Sequence, residues 1–425
     1  MWLLSTIAVA AAGVLSNPAA RLIIDTDMSG DCDDVGASDA AHGASADRLS
    51  VCQRTVTGAF FCYHHAAKQG WTDGVVPGDA VGAVCLAHAL MMRGEADLLA
   101  VVHNTGLDSG VGAISAINTY YGQPDLPVGA YKGPFDRGMR GPYVDDIVRR
   151  FPARLHNASA APDALSVYRQ ALAGAPDASV WVSSIGFTTN LEALLRSGPD
   201  AASPLSGAQL VAKKVKGLAW MGGRYPQSLR DPENAQAISL SLSLSLSLSL
   251  SLSDCFSLLV QLPSPEHNFG FFCTADNERC SGIASDPIAP STAFVLEHWP
   301  GTVPIVFLGW EVGAPILTGA VMTNGTASSN PCRQAYIDHG NGVVGRSSWD
   351  PATTLFAVRG VESFYSQIFG RNFVNATDGN NVFVPSHTGD TMQSYLVQKA
   401  PIQAVRNAIN ELLLMPPVLD IGGAD

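Results

Sequence analysis

Residues 22–34 read Leu22-Ile23-Ile24-Asp25-Thr26-Asp27-Met28-Ser29-Gly30-Asp31-Cys32-Asp33-Asp34. A short, uninterrupted apolar run breaks off into five carboxylates within ten residues. An apolar run without polar alternation is the pattern of a strand covered on both faces. Five like charges so close together repel and raise one another's pKa unless something positive sits among them. A hard divalent cation relieves that repulsion, and carboxylate and carbonyl oxygens in a six- to eight-fold shell suit calcium. The spacing is not that of an EF-hand, because no Glu stands at the twelfth position. Two other readings stay open at this point: a solvated acidic loop capping a helix, and a magnesium site for phosphoryl transfer.

Outward from this stretch, strand and helix alternate. Short apolar runs recur at 98–102, 128–131, 180–185, 215–221 and 303–308, with helical stretches at 112–120 and from Asn190 onward. A further helix runs through Val84-Cys85-Leu86-Ala87-His88-Ala89-Leu90 and ends near Gly94. Apolar strands separated by helices predict an α/β fold with an open, mostly parallel central sheet and helices on both faces. In such a sheet the site lies at the carboxyl ends of the strands, where the acidic stretch falls.

The chain has 425 residues, 25 basic against 37 acidic, for a formal charge of −12, with 47% apolar and 15% charged residues. Disorder is excluded, a large core is available, and an acidic chain without a Lys/Arg cluster is a poor partner for nucleic acid. Residues 1–20 have the apolar run and small-residue end of a secretory signal, too short to span a membrane. With sequons at Asn157, Asn324 and Asn375 and an even count of 8 cysteines, this predicts a secreted or lumenal glycoprotein, free of the membrane once the signal is removed. Residues 21–425 are then one domain.

Two stretches do not match the rest. Residues 239–253 alternate Ser and Leu without a break. A (TC)n repeat encodes that alternation in any frame, so residues 229–263 are read as an insertion of low complexity. Residues 38–80 hold Cys52, Cys62, His64 and His65, whose spacing fits no zinc pattern. They separate Gly30-Asp31-Cys32-Asp33-Asp34-Val35-Gly36-Ala37 from its echo Gly78-Asp79-Ala80-Val81-Gly82-Ala83, and are read as a second insertion.

Ile24-Asp25-Thr26-Asp27 with Asp33-Asp34 resembles the opening signature of the inosine-uridine-preferring nucleoside hydrolases. The resemblance continues in order through Gly112-Ala113-Ile114-Ser115-Ala116-Ile117-Asn118, Ser184-Ile185-Gly186-Phe187-Thr188-Thr189-Asn190-Leu191, Met221-Gly222-Gly223, Glu266-His267-Asn268-Phe269 and Trp349-Asp350-Pro351. It implies calcium held by Asp27, Asp34, Asp350 and the Ile185 carbonyl, with Asp33 as general base. It implies that Glu266 and Asn268 hold ribose hydroxyls. The expected partner is a small nucleoside, cleaved at its N-glycosidic bond to ribose and base, with homo-oligomer formation left open.

Three departures accompany it. Two extra residues separate Asp27 from Asp33-Asp34, so Asp31 is an alternative ligand. Trp349 stands where many members have a His on the base side; its face suits either a purine or the core. The Ser-Leu tract precedes Glu266. A calcium-dependent N-ribohydrolase is therefore the first reading, and a non-catalytic member that keeps calcium and a ribosyl ligand the second. Gly340-Asn341-Gly342-Val343-Val344-Gly345 has the form of a dinucleotide-binding loop but follows no strand.

Overall fold

The computed structural model describes residues 18–28, 79–135, 142–226, 266–270, 287–386 and 391–417, with the backbone of the strands at 51–54 and 60–63. The first 17 residues, Asp31, Asp33, Asp34 and the Ser-Leu tract lie outside the described residues.

The strands in chain order are β1 (Ala20–Thr26), β2 (Val51–Arg54), β3 (Phe60–Tyr63), β4 (Ala96–His103), β5 (Val128–Ala130), β6 (Val180–Ile185), β7 (Val215–Met221), β8 (Ile305–Leu308), β9 (Leu317–Thr318), β10 (Arg346–Ser347), β11 (Tyr365–Val374), β12 (Asn381–Pro385) and β13 (Gln393–Gln398). Among the described residues nine form one sheet in the order β12-β11-β13-β8-β7-β6-β1-β4-β5. From β13 to β5 every pairing is parallel, and β11 runs antiparallel to its two neighbours. The predicted parallel sheet is present, with strands 180–185 and 215–221 as expected. The run expected from Val303 enters the sheet only at Ile305, because Val303 closes a turn onto Pro300 and Pro304 has no N–H for a ladder.

β1 lies deep inside the sheet, and Leu22 through Thr26 are fully buried. Its side chains alternate between two cores, as period-2 geometry requires: Leu22 and Ile24 enter one, Ile23 the other. The first core is covered by helices Asp79–Met92, Asp108–Tyr120, Trp349–Arg359 and Ile402–Leu413, the second by Ala164–Gly174, Thr189–Arg196, Gly207–Lys214 and Ile288–His298. Helix Asp79–Met92 closes at Gly94, whose φ of 72° is the left-handed conformation that ends helices. Cys85 of this helix is disulfide-bonded to Cys332 of helix Pro331–Asp338, both fully buried. β2 and β3 pair antiparallel with each other and form a separate two-stranded sheet. Gly340–Gly345 follows a helix rather than a strand and exposes Val343 and Val344, so it has no phosphate-loop context.

His88, in the same helix, is buried against Tyr121 with rings 4.9 Å apart and its Nε2 2.8 Å from Asn118 Oδ1. Burial pushes its pKa down to about 4. The unfolded chain protonates His88 near 6.5 and the folded chain only near 4, so its burial is free above about pH 6.5 and costs progressively more below it. A His88→Gln variant should recover about 3 kcal/mol relative to the parent between about pH 7.5 and pH 4. Parallel urea titrations measure this; a gap that does not change with pH rejects it.

Candidate active site

The strand order reverses direction between β1 and β6: β4 and β5 follow on one side of β1, and β6, β7 and β8 on the other. Such a switch point opens a crevice at the carboxyl ends of the strands. Thr26 lies level with Ile185 on one side and His103 on the other, which sets Asp27, Gly186 and Asn104 at one height just beyond the sheet. A Cβ on Gly186 would meet the Asp27 backbone nitrogen at 2.6 Å, its Cβ at 2.9 Å and Asn104 Nδ2 at 2.7 Å. Only glycine lets the chain after Ile185 pass so close to Asp27. Gly186→Ala should therefore cost about 1–3 kcal/mol through overpacking against backbone, read as a lowered melting temperature. A melting temperature equal to that of the parent would show that the turn has room after all.

Asp350 reaches the same edge by a different route. Helix Trp349–Arg359 runs antiparallel to the strands. Its Arg359 pairs with Glu95 just before β4 begins, through bonds of 2.7 and 3.0 Å. Phe356 packs on Trp181, and Thr354 meets Ser183 at 3.0 Å. One turn earlier, Asp350 stands at the carboxyl edge, 5% exposed in the helix's first turn. A helix N-terminus favours an anionic side chain there.

On the far side of the crevice Glu266 and Asn268 sit above the end of β7. Glu266 accepts from the Gly223 N–H at 2.9 Å and from the Asn268 N–H at 3.2 Å, and Asn268 Nδ2 donates to the Met221 carbonyl at 3.3 Å. Both are under 10% exposed. Gly222 and Gly223 take positive φ and give Phe269 and Glu266 their room. Glu311 follows β8 and accepts from the Tyr225 N–H at 3.1 Å; burial pushes its carboxyl up to about 7.

Trp349 is half-buried at the helix start. Its indole N–H donates to the Trp310 carbonyl at 2.7 Å and its ring lies 6.2 Å from that of Trp310. Part of the ring also packs on the first core.

Of the residues expected from the sequence, Asp27, Ile185, Asp350, Glu266, Asn268 and Trp349 all lie at this one edge. Asp33 and Asp34, and Asp31 with them, lie outside the described residues, and among the described residues no three His, Cys, Asp or Glu side chains cluster closely enough to hold a metal. The sequence reading assigned no role to Asp25. It is fully buried beneath Asp27 and accepts from Asn104 Nδ2 at 3.1 Å, Asn190 Nδ2 at 3.0 Å and Tyr168 Oη at 3.1 Å. Burial pushes its carboxyl up to about 7 despite these donors. Asn190 is the residue sequence could have flagged, since it lies within the quoted Ser184–Leu191 block; Asn104 and Tyr168 carry no local signal. His103, also missed, is fully buried with Nε2 3.2 Å from the Met28 carbonyl, and burial pushes it down to about 4.

The groups that stand at this edge, Asp27, Asp350 and the carbonyl end of β6, all offer oxygen. That is the hard donor set of calcium rather than the nitrogen and sulfur set of zinc.

Comparison with solved structures agrees on the fold. The chain is similar to a plant nucleoside hydrolase at 14% identity, covering 94% of this chain and 100% of that one, with a TM-score of 0.52. It is similar to the inosine-uridine preferring nucleoside hydrolase of Bacillus anthracis, at 14% identity, 93% and 99% coverage and a TM-score of 0.53. It is likewise similar to the purine-preferring ribonucleoside hydrolase of Gardnerella vaginalis, at 12% identity, 93% and 98% coverage and a TM-score of 0.52. No family model and no curated protein matches the chain. The chain therefore has the nucleoside hydrolase fold, as the resemblance implied, over nearly the whole length of those structures.

Proposed function

We propose that this protein is a calcium-dependent N-ribohydrolase that splits nucleosides into ribose and free base. The observation that carries this reading is that Asp27, packed against the Ile185–Gly186 turn, stands at the same carboxyl edge of the sheet as Asp350, in the first turn of its helix, and as Glu266 and Asn268. The comparison structures support it through their shared fold.

Asp27, Asp34, Asp350 and the Ile185 carbonyl would hold the ion. When bound, calcium supplies charge that lowers the pKa of a water and gathers vicinal sugar hydroxyls. The chain's own groups do the rest. Asp33 takes the proton of the attacking water. Glu266 and Asn268 orient the ribose, their own positions fixed by the Gly223 N–H and the Met221 carbonyl. As the C1′–N bond lengthens, the positive ribosyl that develops is stabilised by the surrounding carboxylates. Trp349 offers a flat apolar face to the departing base but no proton.

That last point favours a second reading, a non-catalytic protein that binds calcium and a ribosyl ligand. Release of ribose from a nucleoside panel by the purified protein separates the two. Turnover should stop on chelation and return with calcium. No release from folded, calcium-loaded protein rejects the hydrolase and leaves the binder.

We also place the protein in a secreted or lumenal compartment. The Cys85–Cys332 disulfide supports this, since buried disulfides persist where the surroundings are oxidising.

A further inference from the structure

Glu311 stands in the one-turn helix Trp310–Gly313 that follows β8. The end of β8 and this helix tie down the turn 222–225, which runs on from β7, at three points. The Gly222 N–H donates to the Leu308 carbonyl at 3.1 Å, and the Trp310 N–H donates to the Gly223 carbonyl at 3.0 Å. The third tie is made by a side chain: the Tyr225 N–H donates to Glu311 Oε1 at 3.1 Å. On its other flank the turn is held by Asn381, whose amide meets the Arg224 N–H at 2.8 Å and the Arg224 carbonyl at 3.2 Å. Among these ties the Gly223 N–H donates to Glu266 Oε2 at 2.9 Å, while Glu266 Oε1 accepts from the Asn268 N–H at 3.2 Å. Where the turn is held therefore decides where Glu266 points.

Room for the Glu311 carboxyl is made by Gly309, where a Cβ would meet Glu311 Oε2 and Tyr225 Cδ2, each at 2.5 Å. Oε2 is buried and has no hydrogen-bond partner among the described residues. The Arg224 guanidinium, 4.9 Å from the centre of the Trp310 ring, is the positive charge that acts on the group, and Glu266 is the negative one. Burial outweighs both Arg224 and the Tyr225 N–H in its effect on this carboxyl. A carboxyl so placed is a poor contributor to stability, since an apolar side chain of the same volume avoids the desolvation. Its value lies in the acceptor it presents to the turn.

We propose that Glu311 is a positioning residue for ribose binding: through the Tyr225 N–H it fixes the 222–225 turn, and the turn sets the Gly223 N–H that orients Glu266. Glu311 itself does not touch the sugar. This rests on the N-ribohydrolase reading, in which Glu266 holds a ribose hydroxyl.

Three variants test it. Glu311→Leu keeps the volume and removes the acceptor, Glu311→Asp keeps the charge and draws the acceptor back by a methylene, and Glu311→Gln keeps an acceptor at the same reach. Calorimetry measures ribose and calcium affinity of each protein, the ribose titrations on calcium-loaded samples. Ribose binding should weaken about 10–100-fold in Glu311→Leu and Glu311→Asp, and stay within about threefold of the parent in Glu311→Gln. Calcium affinity should be unchanged in all three, because no calcium ligand lies on the turn; a general structural defect would lower both. KM for inosine should follow the ribose affinity. Melting curves establish folding, and if Glu311→Leu is unfolded, Glu311→Asp decides by the same criterion. Ribose affinity unmoved in the acceptor-deficient variant, a Gln variant as weak as it, or calcium affinity lost in parallel overturns the positioning role and leaves the N-ribohydrolase reading intact. A calcium-loaded parent that binds neither ribose nor inosine overturns that reading, and the positioning role with it.

Discussion

Replacing Asp33 with alanine is expected to lower kcat for ribose release by about 10²–10⁴-fold, the usual loss when a general base is removed. The affinity for the sugar should change far less. Glu266 and Asn268 are anchored to the end of β7 by the Gly223 N–H and the Met221 carbonyl, and neither anchor involves the acidic loop. The split between kcat and ligand affinity is what identifies a base rather than a structural residue. Asp31→Ala is the necessary companion, because the two residues inserted after Asp27 leave Asp31 as an alternative ligand. If Asp33 is the base, Asp31→Ala should leave the pH profile of kcat/KM unaltered. An Asp33→Ala enzyme within tenfold of the parent, in a folded and calcium-loaded state, would remove Asp33 from the mechanism. Asp350→Ala should also abolish turnover, by weakening calcium binding rather than the chemistry, so added calcium should restore part of it.

Replacing Cys332 with alanine should cost about 3–5 kcal/mol of stability. The bridge to Cys85 spans 247 residues of sequence, and closing so long a loop removes much of the unfolded chain's entropy. It ties helix Asp79–Met92, which packs against both β4 and the Asp350 helix, to the helix Pro331–Asp338. Because both sulfurs are fully buried, Cys332→Ala leaves a small void in addition to the lost crosslink. Cys85→Ala and the double variant should be destabilised to the same extent, since either substitution removes the same bond. Urea denaturation of all three measures this. A parent whose midpoint does not move when it is reduced and alkylated would show that the bond contributes nothing. Such stabilisation also bears on the compartment, since a reducing environment would forfeit it.

The class of fold was legible in the amino-acid sequence, and so were several polar residues that lie at the carboxyl edge of the sheet. Leu22-Ile23-Ile24 and the runs at 180–185 and 215–221 are apolar without alternation because a parallel sheet covered by helices buries both faces of its strands. The carboxylates immediately after β1 mark the carboxyl edge for the same reason: a buried strand cannot carry them inside. Short local blocks singled out Asp27, Ile185, Glu266, Asn268 and Asp350, which stand just after β1, at the end of β6, in a turn beside the end of β7 and at the start of a helix. What tertiary structure alone decided was everything that depends on strand order and helix direction. The switch between β1 and β6 brings Gly186 against Asp27, although 158 residues separate them in numbering. The antiparallel course of helix Trp349–Arg359 delivers Asp350 to the right end of the sheet. The ring of donors around Asp25, the pairing of Cys85 with Cys332, and the seating of Arg224 on Trp310 join residues from separate elements. No periodicity or spacing along the chain encodes such contacts; they arise only when packed layers bring distant side chains within a few ångströms.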